Sequence, residues 1–231
     1  MADKNIEILL KAQRLSFVNV FEPQEFRDEE KGTVRWTRNL NVLVPKKLED
    51  GSTNPLVKVL NDAVKQAIEN TWPGQDKKIP AERRCLRDGE PKDPDDETKR
   101  YPLYEGYAGH YFISANKPVK SKDAPNNVKV LGPRKTAKNA EGKPCFPVLK
   151  ESDGLIYSGC YADVIIRIYG YDGKKDKNPD RVNASLEAVK FVRHGEAFGA
   201  KAVDAESAFD EEDGDDAFEG GGSASDDDDI G

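Results

Sequence analysis

Hydrophobic and polar positions change their spacing several times along this chain, and each spacing predicts an element. The run Leu15-Ser16-Phe17-Val18-Asn19-Val20-Phe21 is rich in β-branched and aromatic residues, which predicts a strand. Pro23 and the charged stretch 27–31 then read as a turn. A second strand is expected from Thr33 to Val44. Val34, Trp36, Arg38, Leu40, Val42 and Val44 alternate onto one face there, and Pro45 closes it. The period then becomes helical. Asn54 can cap, Pro55 suits the first helical position, and Leu56, Val57, Leu60, Ala63, Val64, Ala67 and Ile68 form one stripe that ends before Trp72-Pro73-Gly74. Such a stripe belongs to core packing before it belongs to a partner surface.

Beyond the helix the pattern loosens. Residues 74–100 mix Pro, Gly and both signs of charge and read as a surface loop, with a short helical turn around Ala81 to Leu86. Strands resume over Gly106 to Ala115. The stretch Asn116 to Lys143 is rich in Pro, Gly, Asn and Lys, with one short β candidate at Val128 to Leu131. Two last strands are expected at Gly159 to Tyr171 and Arg181 to Val192, joined by Asp172-Gly173 and a connection carrying Lys174, Lys175 and Lys177. No internal repeat is visible. About six short strands and one principal helix predict a mainly β domain, an antiparallel barrel or sandwich. The most economical form is a partly open, five-stranded Greek-key barrel of the oligonucleotide-binding (OB) type, with long loops.

The segment Gly159 to Tyr171 carries most of the functional argument. One face receives Cys160, Ala162, Val164, Ile166 and Ile168, which suits a core; the other receives Tyr161, Asp163, Ile165, Arg167, Tyr169 and Tyr171. Tyrosines beside an arginine offer π faces that stack nucleobases regardless of identity. Tyrosines are also ordinary strand residues, so repetition has to supply the weight. Tyr101, Tyr104, Tyr107 and Tyr111 form a second cluster after Lys99-Arg100, and Trp36 lies between Arg35 and Arg38. Basic residues gather in loops: Arg83, Arg84 and Arg87, then Lys117, Lys120 and Lys122, then Lys129, Arg134, Lys135 and Lys138. A charge run is usually a solvated face, but aromatics interleaved with cations are what single-strand binding requires.

Charge sharpens this reading. The chain has 36 basic and 43 acidic residues, a net −7. Val203 to Gly231 holds 13 of those acids, no Lys or Arg, and ends in the run Asp226-Asp227-Asp228-Asp229. The body, residues 1–202, therefore keeps 36 bases against 30 acids and is positive by six. The expected organisation is one folded domain over 1–202 and a disordered acidic tail over 203–231. A flexible arm of that length reaches ~30 Å, enough to lie in a cationic groove and be displaced by DNA. Phe209 and Phe218 supply apolar anchors for protein partners within the acidic field.

Other chemistries find less support. Cys85, Cys145 and Cys160 show no paired zinc spacing and read as reduced thiols, with Cys160 buried. A metal-dependent nuclease would draw on Asp153, Asp163 and Asp172, which strand parity does not bring together, and His110 as a base fits less well than a packed imidazole. There is neither a phosphate-binding loop motif nor a dinucleotide fingerprint, so no enzyme activity, cofactor or metal is expected. Met1 to Asn5 do not start a secretory signal, and no stretch approaches ~20 apolar residues, so a soluble cytoplasmic protein without a membrane partner is expected. A scaffold presenting the tyrosine face to another protein is the main rival.

Gly159-Cys160-Tyr161-Ala162, Tyr169-Gly170-Tyr171-Asp172 and the run Ala188 to Gly199 (AVKFVRHGEAFG) together resemble a family of phage-encoded single-stranded DNA-binding proteins, formerly a domain of unknown function. The resemblance covers roughly residues 10–200. It implies an OB-type fold, coating of single-stranded DNA in replication and recombination without strong sequence choice, and an acidic C-terminal tail that recruits replication proteins. It leaves room for weaker duplex binding and for a homo-oligomer. The tail ends Asp229-Ile230-Gly231 and lacks a terminal aromatic. The residues expected to contact DNA are Trp36, Arg38, Tyr101, Tyr104, Tyr107, Tyr111, Lys117, Arg134, Lys135, Tyr161, Arg167, Tyr169 and Tyr171. Phe209, Phe218 and Asp226 to Asp229 are assigned to partner binding.

Overall fold

The computed structural model describes residues 5–28, 32–90, 104–176 and 178–199. The strands are β1 (Ile6–Asp28), β2 (Thr33–Pro45), β3 (Leu86–Asp88), β4 (His110–Val119), β5 (Lys129–Leu131), β6 (Ala137–Lys138), β7 (Pro144–Cys145), β8 (Tyr161–Tyr171) and β9 (Arg181–Arg193). Among the described residues one α-helix, α1 (Pro55–Thr71), lies between β2 and β3.

The main sheet runs β3-β4-β2-β1-β8-β9-β5, and β4 also pairs with β9. That second pairing closes β1, β2, β4, β9 and β8 into a five-stranded barrel. It is parallel, matching Ala115 with Ala184 and Asn116 with Ser185, whereas the other barrel pairs are antiparallel. This is the OB-type barrel expected from the sequence, closed rather than partly open.

Alternation explains the core. Ala162, Val164, Ile166 and Ile168 of β8, and Cys160 just before it, are all fully buried, as a period of two requires. Leu40, Val42 and Val44 of β2 and Val182, Ala184 and Leu186 of β9 meet them inside. Each buried Leu or Ile contributes about 1.5–3 kcal/mol. Helix α1 begins as its residues dictate. Asn54 Oδ1 accepts the Leu56 N–H at 3.0 Å, and Pro55 loses no helical hydrogen bond at the first position. Leu60, Ala63, Val64 and Ala67 are buried, and the helix packs mainly on β8. Gly170 permits that approach: a Cβ there would stand 2.8 Å from Thr71 Cβ and 3.0 Å from the Ala67 carbonyl oxygen.

Four differences from the sequence reading have physical causes. Strand β1 starts at Ile6, well before Leu15, and runs to Asp28. Its alternation breaks because Ala12 and Phe17 take positive φ (50° and 48°) and the register shifts at three places. Within the expected 74–100 loop, Leu86–Asp88 pairs with β4, and the helical turn is a single 3-10 turn, Ala81–Arg83. Strand β4 starts at His110 because Gly106 and Gly109, at φ 79° and 71°, hold turns before it. The short β5 lies parallel to β9, and β6–β7 forms a two-residue ladder that sequence alternation cannot reveal. All three cysteines are free thiols. Burial pushes Cys85 up to about 12 and raises Cys160.

Candidate nucleic-acid interface

The outward positions of β2 and β4 form a polar floor. Thr37, Asn39 and Asn41 of β2 stand opposite Pro118, Asn116 and Ser114 of β4. Toward β1 the floor continues through Asn19, paired with Asn39, and Gln24, paired with Thr37. The amides are tied to one another: Asn19 Nδ2 donates to Asn39 Oδ1, and Asn39 Nδ2 to Gln24 Oε1, each at 3.1 Å. A second chain runs Arg87 Nη2 to Ser114 Oγ, Ser114 Oγ to Asn41 Oδ1, and Asn41 Nδ2 to the Tyr107 phenol oxygen, each at 2.7 Å. These bonds fix the side chains before any ligand arrives, which lowers the entropy cost of binding.

Aromatic rings stand at one end. Phe17 meets Tyr104 edge-on at 4.9 Å, Tyr104 lies 5.5 Å from Tyr107, and Tyr107 lies 5.1 Å from Phe112. The Arg87 guanidinium caps Phe112 at 4.7 Å. Phe17 points outward because φ is positive there while Ser16 is buried and Val18 packs on the core. A left-handed non-glycine costs about 1–3 kcal/mol, and such strain concentrates at functional sites. Phe17 is 45% exposed, Tyr104 44% and Phe26 48%. The loop carrying Tyr104 and Tyr107 is held by Gly89, where a Cβ would stand 2.8 Å from the His110 carbonyl oxygen.

Two adjoining hollows share Phe17 and Asn41 and make one groove. The larger, about 580 Å³, follows Asn19, Asn39, Asn116 and the β1–β2 hairpin; the smaller, about 310 Å³, lies among the rings and Arg87. Arg35 and Arg181 border the larger hollow, and among the described residues no Asp or Glu lines it, whereas Asp88 lines the smaller. Both arginines are exposed and stand in no ion pair among the described residues. The arrangement offers ring faces, neutral hydrogen-bonding groups and free cations along one path. In OB folds this face and the two hairpin loops flanking it bind oligonucleotides.

The residues singled out from sequence fall into three groups. Tyr104, Tyr107 and Trp36 belong to the groove, but Tyr107 is 2% exposed and its burial holds the phenol above the ordinary tyrosine range. It supports the site and cannot offer a ring face. Trp36 borders the larger hollow, although alternation sets it on the side shared with Arg38.

A second group is occupied elsewhere. Arg38 is 3% exposed and donates to the Ala124 carbonyl at 2.8 Å; burial lowers its pKa. Tyr111 shares the inward parity of Ile113 and packs on the core, with Lys46 over its ring. Lys117 pairs with Glu187 at 2.7 Å, and Arg167 pairs with Glu7 at 3.1 Å. Tyr161 has Arg193 over its ring at 3.4 Å and Gly195 against its edge. Each of these side chains is buried or already has a partner within the fold.

The third group stays open to solvent or lies outside the described residues. Tyr169 and Tyr171 are half-buried on the outer face of β8, and Arg134 and Lys135 are exposed after β5. Tyr101, Phe209, Phe218 and Asp226 to Asp229 lie outside the described residues. Sequence reasoning counted Arg87 only among the basic loop residues and missed Phe17, Asn39, Asn41, Phe112 and Arg181. The signal for Asn39 and Asn41 was the polar half of β2, passed over in favour of its apolar half.

The family model described as Enterobacter phage Enc34, ssDNA-binding protein, matches residues 6–219. Putative protein p50 of Acyrthosiphon pisum secondary endosymbiont phage 1 is 30% identical over 213 residues, covering 89% of this chain and 94% of that protein. The single-stranded DNA-binding protein from bacteriophage Enc34, as a C-terminal truncation, superposes with a TM-score of 0.54 at 20% identity, over 83% of this chain and 88% of that one. The same protein in complex with ssDNA gives 0.52 at 23% identity, over 84% and 89%. These structures show a shared fold, and with the match along most of its length the chain belongs to the Enc34-type family of phage ssDNA-binding proteins.

Proposed function

We propose that this protein binds single-stranded DNA without sequence choice and coats it during phage DNA replication and recombination, in the host cytoplasm. One observation carries the reading: on the outer face of β1, β2 and β4 one groove combines exposed rings, an amide floor and, among the described residues, arginines in no ion pair, and its one described acid, Asp88, is held by Lys46. Bases stack on Phe17, Tyr104 and Phe26, because a ring face accepts any base. Arg35, Arg181 and Arg87 take phosphates, so affinity falls with salt. Trp36 borders this path as a secondary contact, and Arg134, Lys135, Tyr169 and Tyr171, which line neither hollow, add only peripheral contacts away from it. The family match and the Enc34 protein solved with ssDNA support the ligand class.

The protein acts by binding, not catalysis. The carboxylates a nuclease would need are engaged separately. Asp163 holds Lys190 and the Ala12 N–H, Asp153 accepts the Lys150 N–H, and Asp172 accepts the Lys174 N–H. Residues 1–202 form the binding domain, and the acidic segment 203–231 competes for the groove and recruits replication proteins through Phe209, Phe218 and Asp226 to Asp229. Titration of the full chain with labelled oligo-dT and a matched duplex at two salt concentrations tests this. Tight, salt-sensitive single-strand binding with weaker duplex binding is expected; absence of single-strand binding at low salt overturns it. Truncation after Ala202 is expected to tighten binding at low salt, and unchanged or weaker binding would remove the competition model.

A further inference from the structure

A second cavity lies off the groove. It holds about 360 Å³ between the segment after α1 and the β8–β9 turn. Lys77, Lys78, Arg83 and Lys174 line it, and among the described residues Asp180 is its one acid. Asp180 pairs with Lys77 at 2.5 Å, which also lies over the Trp72 ring. Lys78, Arg83 and Lys174 are exposed, and no acid among the described residues pairs with their side chains. The described lining therefore keeps a positive balance of three and exposes no aromatic ring. That chemistry suits phosphates and offers nothing to bases.

Its position links it to the groove. Asp180 lines the basic cleft, and the next residue, Arg181, lines the larger hollow. The two sites meet across the first residues of β9. The segment 79–84 lies beside that same point, through the Arg84–Val182 bridge and the Cys85 N–H bond to the Val182 carbonyl at 2.8 Å. Asp180 also accepts the Gly173 N–H at 3.0 Å, so one carboxylate braces both walls of the cleft.

We infer that the cleft of Lys78, Arg83 and Lys174 is a phosphate-binding extension of the single-strand path, taking the backbone of the DNA as it leaves the groove over the start of β9. The inference rests on the single-strand reading above. It divides the site into a leg that stacks bases and a leg that holds only backbone. Strands long enough to span both legs gain affinity from the cleft, while short ones do not.

The test compares the full chain with the triple variant Lys78→Ala, Arg83→Ala, Lys174→Ala, using oligo-dT of about 5 and about 15 nucleotides, within the span of OB-fold site sizes. All three side chains are exposed, so the variant should fold; its melting temperature checks that. The expected result is unchanged affinity for the short strand and at least tenfold weaker binding of the long one. Its salt slope should be lower by about two, as ~0.7 per lost phosphate contact predicts. Equal affinities of variant and parent for the long strand overturn the inference while leaving the groove intact. Tighter long-strand binding by the variant also overturns it and assigns the cleft to the acidic segment of this chain. If the parent binds neither strand, the single-strand reading itself has failed.

Discussion

Phe17 gives the sharpest single-residue test of the groove. Its ring is 45% exposed, braced edge-on by Tyr104, and held outward by a φ of 48°. A base stacked on such a ring contributes about 1–3 kcal/mol, so Phe17→Ala should weaken oligo-dT binding by about 5- to 150-fold. The substitution also removes an edge contact worth about 0.5–1.5 kcal/mol to the fold. Phe17→Gly separates the two effects. It removes the same ring but relieves a left-handed strain of about 1 kcal/mol or more, so it should be more stable than the alanine variant and bind equally weakly. Leu9→Ala is the control. Leu9 is as exposed, at 50%, but stands on the β8 side of β1 opposite Ile165. Fluorescence anisotropy with labelled oligo-dT reads affinity and thermal melting reads stability. Binding by both Phe17 variants within twofold of the parent, with folding intact, would refute the stacking role.

Other outcomes follow from the same geometry. Arg35→Ala and Arg181→Ala should each lower the slope of log affinity against log salt by about 0.7, whereas Arg167→Ala, already neutralised by Glu7, should leave it unchanged in the same titrations. Arg38→Ala should act on the fold: losing its charged hydrogen bond to Ala124 costs about 2–3 kcal/mol, visible as a melting temperature lower by about 5–10 °C. Acid should destabilise the barrel in a defined window. Burial raises the Glu187 carboxyl, but the Lys117 and Ser185 hydrogen bonds outweigh it, and Asp180 is lowered by Lys77. Carboxyls depressed in the folded state stabilise fully above their ordinary values near 4 and lose that contribution as pH falls through the folded values. Urea melts of Lys117→Met should therefore show a flatter loss of stability below about pH 4 than the parent.

The barrel was legible because its signals are local. The period of two placed Cys160 through Ile168 inside, and Asn54-Pro55 marked the helix start, since both depend on neighbours in sequence. The groove was less legible because its parts are not local. Arg167 and Lys117 look free in the sequence, and their neutralising partners lie 160 and 70 residues away. Asn39 and Asn41 carry no charge or ring, so only the pairing of β2 with β1 and β4 reveals a floor. Phe17 reads as an ordinary strand residue, and its outward turn comes from a backbone irregularity with no glycine to announce it. The tyrosine pattern pointed both to the loop of Tyr104 and Tyr107, which lines the proposed groove, and to the outer face of β8, where Glu7, Asp163 and Arg193 pair with their neighbours.

Photocrosslinking locates the bases most directly. Oligo-dT carrying 5-iodouracil, bound to the full chain and irradiated, should form adducts in peptides containing Phe17, Phe26 or Tyr104. Adducts confined to Tyr161, Tyr169 and Tyr171 would move the bases to the opposite side of the barrel and contradict the account.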